Sequence, residues 1–180
     1  MSTLDEWINL AWNGLKADAP NLAIRNEADL KCHLFSRLLA LKTEVASKHE
    51  VHSEIRFQLN QSRRGIIVDI AIADDTTVMA VIELKYSHLP KFEKDLVNLC
   101  MLRDGAKNHE IASEVRWVST PYSRKALKLS ESTLFCFGAA CENDAGSSDR
   151  EYMFRKMKEK HDLDCSDIIT LPAIIFNKVE

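Results

Sequence analysis

Three charged residues interrupt apolar runs near the middle of this chain. Asp69 lies within Ile66-Ile67-Val68-Asp69-Ile70-Ala71-Ile72, and Glu83 and Lys85 lie within Val78-Met79-Ala80-Val81-Ile82-Glu83-Leu84-Lys85-Tyr86. A charge in such a run is costly to bury uncompensated, so each residue calls for a partner or a ligand. Side chains alternate along an extended segment, which puts Glu83 and Lys85 on one face and Ile82 and Leu84 on the other. If the two segments pair through a turn at Asp74 to Thr76, Asp69 and Glu83 come from adjacent strands and can converge on one hard cation held by oxygen ligands. The competing reading is a structural ion-pair network at a strand end, in which these residues neutralise one another.

The surrounding sequence must supply elements that hold this constellation. Leu4, Trp7, Ile8, Ala11 and Leu15 recur at helical spacing over residues 4 to 16, and Pro20 with Asn21 ends that run. Asn26 is a good N-cap for a second helix reaching about Lys42, with Leu30, Leu34, Leu38 and Leu41 along one stripe. From His49 the period shortens, and three strands are expected at Val51 to Leu59, Ile66 to Ala73 and Thr77 to Tyr86. A helix after Pro90 turns Phe92, Leu96, Leu99 and Cys100 inward and ends near Asp104-Gly105. Further on, strands are expected at Val115 to Ser119 and Thr133 to Ala139, with a short helix at Arg124 to Leu129 between them. Glu142 to Ser148 reads as a surface loop, Arg150 to His161 as a charged helix, and Ile168 to Phe176, broken by Pro172, as an edge strand or extended tail. The order implies an α/β fold, a central mixed β-sheet flanked by helices, whose strand order the sequence leaves open.

Val68-Asp69, thirteen intervening residues and then Glu83-Leu84-Lys85 resemble the signature of the PD-(D/E)XK nuclease superfamily. Valine stands where the name of that motif has proline. The resemblance covers roughly residues 26 to 104 and implies a restriction endonuclease-like α-β-β-β-α-β core. It also implies a Mg²⁺ ion, replaceable by Mn²⁺, held by Asp69, Glu83 and the backbone carbonyl of Leu84. Lys85 would then orient the attacking water or stabilise charge on the phosphoryl oxygens. Members of the superfamily usually add a glutamate from the preceding helix, and Glu27, on the stripe of Leu30, Leu34 and Leu38, is the best match. Glu54 is its competitor, and first-turn acids are favoured by the helix dipole in any case. The implied activity is metal-dependent phosphodiester hydrolysis, on DNA rather than RNA; the alternative is a catalytically silent binding or regulatory subunit on the same fold.

Arg63 and Arg64 before the Asp69 strand, and Lys91 and Lys94 at the start of the following helix, are candidates for contact with a phosphate backbone, as are Gln58 and Gln61. Such residues are more often just a solvated face; Tyr86 and His88 after Lys85 could reach the cleft, although a loop histidine is more often solvent-exposed than catalytic. Two symmetric copies would suit a double-strand cut, which makes a homodimer an expectation. The remaining composition narrows the class rather than the function. A chain of 180 residues, 46% hydrophobic and 28% charged, fits one soluble globular domain, with a core at about residues 22–140 and an elaboration at about 149–180. The net charge of −3 excludes a uniformly cationic surface but leaves room for a local basic cleft. No apolar run approaches the about 18 residues needed to cross a bilayer. The five cysteines are scattered through apolar segments, which suits reduced core thiols and a cytoplasmic location; a zinc site from Cys136, Cys141, His161 and Cys165 would have unorthodox spacing.

Overall fold

The computed structural model describes residues 3–44, 48–59, 65–87, 92–107, 111–112, 127–142 and 150–176. Helix α1 (Leu4–Asp18) is followed by a short 3₁₀ turn (Ala19–Asn21) and helix α2 (Glu27–Glu44). Asn26 caps α2 as its chemistry suggests, accepting the Asp29 N–H at 2.9 Å, so that Glu27 is the first helical residue. Three long strands come next: β1 (Glu50–Leu59), β2 (Gly65–Asp74) and β3 (Thr77–Ser87). Helix α3 (Glu93–Lys107), strand β4 (Ile111–Ala112), strand β5 (Leu134–Glu142), helix α4 (Arg150–His161) and strands β6 (Ile169–Thr170) and β7 (Ile174–Phe176) complete the order. The expected strand at Val115 to Ser119 and the first half of the expected helix at Arg124 to Leu129 fall outside the described residues, whereas Leu127 to Leu129 are not helical: Lys128 bridges Thr77 in parallel, its carbonyl accepting the Val78 N–H and its N–H donating to the Thr76 carbonyl, so the start of β3 takes up the backbone groups a helix would use.

The strands form one mixed sheet in the order β4-β1-β2-β3-β5-β6, with β7 also on β5. β1, β2 and β3 are an antiparallel meander, and β5 joins β3 in parallel, Glu83 opposite Phe137 and Lys85 opposite Ala139. The β2–β3 turn is tight, with Asp75 in the left-handed region at φ 55°, which aspartate tolerates well. At the far edge, Pro172 cannot donate to a ladder and so divides β6 from β7, while its carbonyl accepts the Trp12 indole N–H at 2.7 Å.

Helices cover both faces. Trp7, Ile8, Ala11, Trp12 and Leu15 of α1 and Leu30, Leu34 and Leu38 of α2 pack with Ile70, Ile72, Ile82 and Leu84 on one side. Leu96, Leu99 and Leu102 of α3 and Met153 and Met157 of α4 pack with Ile55, Phe57, Val68, Val81 and Phe137 on the other. Each fully buried leucine in these layers contributes about 1.5–3 kcal/mol.

The sheet is irregular at one place. Val51 packs on the α1–α2 side, whereas Ile55 and Phe57, of the same parity, pack on the α3–α4 side. Along β2, Val68 faces α3–α4 while Ile70 and Ile72 face α1–α2. A regular strand keeps one parity on one face, so both strands change face, β1 between Val51 and Ile55 and β2 between Val68 and Ile70. Glu54, with φ 56°, falls in the first interval and Asp69 in the second. Ser53 pairs with Ile70 and Ile55 with Val68, which sets Glu54 and Asp69 across from one another at the switch. A left-handed non-glycine residue costs about 1–2 kcal/mol, and surrounding packing has to hold it there.

Candidate functional site

β2 and β3 pair as far as Ile70 opposite Ile82. One step beyond, Asp69 and Glu83 follow on their two strands, and the Leu84 N–H donates to the Asp69 carboxylate at 2.8 Å. The Tyr86 N–H, further along β3, lies 3.5 Å from the Glu27 carboxylate as acceptor. Side-chain carboxylates thus take up backbone donors of β3 beyond the Ile70–Ile82 pair, and helix α2 reaches the sheet at that point. The change of face at Glu54 and Asp69 makes this possible.

Two lysines stand among the acids. Lys85 bridges the two helical layers, with its ammonium 3.3 Å from Glu27 on α2 and 3.0 Å from Asp95 on α3. Lys31, one turn after Glu27 on α2, lies 2.5 Å from Glu54 and 3.6 Å from Asp69. Among the described residues, Glu27, Glu54, Asp69, Glu83 and Asp95 are set against the ammonium groups of Lys31 and Lys85, with Lys94 also acting on Asp95. Glu83 is 8% exposed, and its Oε2 is buried without a hydrogen-bond partner among the described residues. An ionised carboxylate in that state is strongly disfavoured unless a cation joins it.

The acid–base properties follow from this crowding. Burial, then the charges of Asp69 and Asp95, push the Glu83 carboxyl up to about 9. Burial also raises Asp69, although the Leu84 N–H and the Lys31 ammonium pull it back. Asp95 is raised by burial against the opposing effect of Lys85. Burial works against the Lys85 and Lys31 ammonium groups, but their carboxylate partners outweigh it and hold both above the ordinary lysine value. Glu54, exposed and bonded to Lys31, is lowered.

The residues expected from the sequence are placed as follows. Asp69, Glu83, Leu84 and Lys85 meet at the end of the β2–β3 ladder, and Glu27 approaches them from α2 through Lys85 and the Tyr86 N–H. Lys94 is exposed at the start of α3. Arg63, Arg64, Lys91, Gln61 and His88 lie outside the described residues. Asp95 and Lys31 were not anticipated, yet each had a signal. Asp95 sits at helical spacing between Phe92 and Leu99 on an inward stripe, and Lys31 follows Glu27 by four residues and precedes Leu34 by three.

Asp69 and Glu83 carry hard oxygen donors of the kind a divalent cation takes, and the Glu83 Oε2 has no hydrogen-bond partner among the described residues. Among the described residues, however, no three His, Cys, Asp or Glu side chains are gathered as a ready metal cage. Lys85 engages Glu27 and Asp95, while Lys31 engages Glu54 and Asp69. Also among the described residues, no helix is long and apolar enough to cross a membrane. Compared with protein-family models, with curated proteins and with solved structures, the chain has no match, so its reading rests on this geometry.

Proposed function

We propose that this protein is a metal-dependent nuclease of PD-(D/E)XK type that hydrolyses phosphodiester bonds, with DNA as the substrate class. The observation that carries this reading is the buried, partnerless Glu83 oxygen beside Asp69, on the same strand as Lys85. Asp69 and Glu83 are the residues that would hold Mg²⁺ or Mn²⁺. When bound, the ion supplies positive charge to a phosphoryl oxygen and makes a water molecule more acidic.

The chain's own residues do the rest. Glu27 and Asp95 hold Lys85 from two layers and keep its ammonium protonated, so it offers a fixed positive charge to a phosphate or a hydrogen bond to water. The Leu84 N–H fixes one Asp69 oxygen, leaving the other directed towards Lys31. Lys94, Arg63, Arg64 and Lys91 are the proposed contacts to the phosphate backbone.

The test is cleavage of single- and double-stranded DNA and RNA with Mg²⁺ or Mn²⁺ by the full chain. Asp69→Asn and Lys85→Met are each expected to lower the rate by about 10²–10³-fold while leaving the circular dichroism spectrum unchanged. Cleavage that persists in either variant removes the assignment. A second reading is favoured by the ammonium groups already seated among the carboxylates: the cluster is a structural network in a silent binding or regulatory subunit. Under that reading neither Mg²⁺ nor Mn²⁺ binds at millimolar concentration.

A further inference from the structure

Among the described residues, Lys31 is the cation paired with the Asp69 oxygen that the Leu84 N–H does not bond. Its ammonium lies 3.6 Å from Asp69 Oδ1 and 2.5 Å from Glu54 Oε1, with the lysine side chain 16% exposed and the glutamate 66% exposed. The lysine thus has two acceptors, a buried one and an exposed one, and a small movement exchanges them. Glu54 reaches this place through a backbone conformation that few residues other than glycine adopt, at the point where β1 changes face opposite Asp69. Strain of that kind in mid-strand asks for a reason at the site it serves. Glu83, nine-tenths buried and with one oxygen that has no hydrogen-bond partner among the described residues, lies at the same spot.

We propose that Lys31 is a resident counter-cation that neutralises Asp69 in the metal-free protein and passes wholly to Glu54 when a divalent ion binds. This rests on the reading that Asp69 and Glu83 hold that ion. Lys31 then acts as a positioning residue, and Glu54 is the berth that receives it. The exchange keeps Asp69 from standing as an isolated buried charge between catalytic cycles.

Mn²⁺ titration calorimetry on the full-length chain tests the exchange through affinity rather than activity. Lys31→Met removes the competitor and is expected to tighten Mn²⁺ binding by about tenfold. Glu54→Gln removes the berth, leaves Lys31 on Asp69 and is expected to weaken binding by about threefold to tenfold. Simple field effects of the two charges would give the same signs, so the double variant decides. With Lys31 already replaced, Glu54→Gln is expected to change Mn²⁺ affinity by less than about twofold, because Glu54 acts only through the lysine. Additive effects in the double variant overturn the proposal, as do single variants that shift affinity in one direction. Glu54→Asn, whose side chain tolerates the left-handed backbone, repeats the arm if Glu54→Gln melts below the working temperature. Failure of wild type to bind Mn²⁺ at all overturns the cation site and the exchange together. Binding that is lost in Asp69→Asn but follows the additive pattern leaves the cation site standing and removes only the role of Lys31.

Discussion

Glu83 shows most directly how one residue can be unfavourable for the fold and needed for the site. Its carboxyl ordinarily titrates at 4.5 but is pushed up to about 9 by burial and by Asp69 and Asp95. Below pH 4.5 the folded and unfolded forms both hold the proton. Between 4.5 and about 9 only the folded form keeps it, so the metal-free protein loses stability as pH rises across that window. Thermal melts in a chelator are expected to show a midpoint falling by about 5 °C from pH 5 to pH 8, and Glu83→Gln is expected to flatten most of that slope. A slope equal in both proteins would mean that Glu83 is not the group responsible. Asp69, Glu83 and Lys85 were legible in the sequence because each breaks an apolar run, where a charge calls for a partner or a ligand. Lys31 and Asp95 were not, because a helix normally carries charges and first-turn acids, and only packing reveals which of them face inward. Glu54 was noticed as an acid but not as a strained one, since nothing in His52-Ser53-Glu54-Ile55 announces a left-handed backbone.

Among the elements, β3 carries the greatest demand, holding Glu83 and Lys85 while packed between β2 and β5. Gly138 on β5, opposite Leu84, is what allows α1 to press onto this region. A Cβ there would come within 2.8 Å and 2.9 Å of the Trp12 ring and 3.2 Å of the Leu84 side chain. Gly138→Ala is expected to cost about 1–3 kcal/mol in urea unfolding, because neither the buried indole nor the strand can move away freely. An unchanged midpoint would show that α1 can shift. The long strands and α1 to α4 were readable from periodicity, and α4 coincides with the expected Arg150 to His161. Strand order was not readable, because β5 lies parallel beside β3 through contacts that span the described chain rather than through any local pattern. The switch of faces on β1 and β2 was hidden for a simpler reason: with helices on both sides, β2 is apolar in either parity, and Ile66 to Ile72 looks alike whichever way it points.

At the scale of the whole molecule, 27 acidic side chains against 24 basic ones leave a net charge of −3, and under the proposed function a phosphate has to approach the acidic cluster. Binding to DNA should therefore depend on the cation. Fluorescence anisotropy with a short duplex is expected to show at least about tenfold tighter binding by Lys85→Met in Ca²⁺ than in a chelator. Equal affinity in both would point to a nucleic-acid surface elsewhere on the protein. The two helical layers differ in how they are tied to the sheet. Arg103 of α3 holds the segment after α4 through the Asp164 carbonyl at 2.6 Å and through Asp167, and the buried Cys100 and Cys165 thiols touch beside it. α1 is tied instead by the bond from Trp12 to the Pro172 carbonyl, across 160 positions of sequence. A ribosome makes that stretch in roughly 8–32 s, at 5–20 residues per second. Through that interval the Trp12 indole N–H has been synthesised but its acceptor has not. The α1 layer over Leu84 thus cannot close fully while the chain is being made, and its apolar face is what a holding chaperone would meet first.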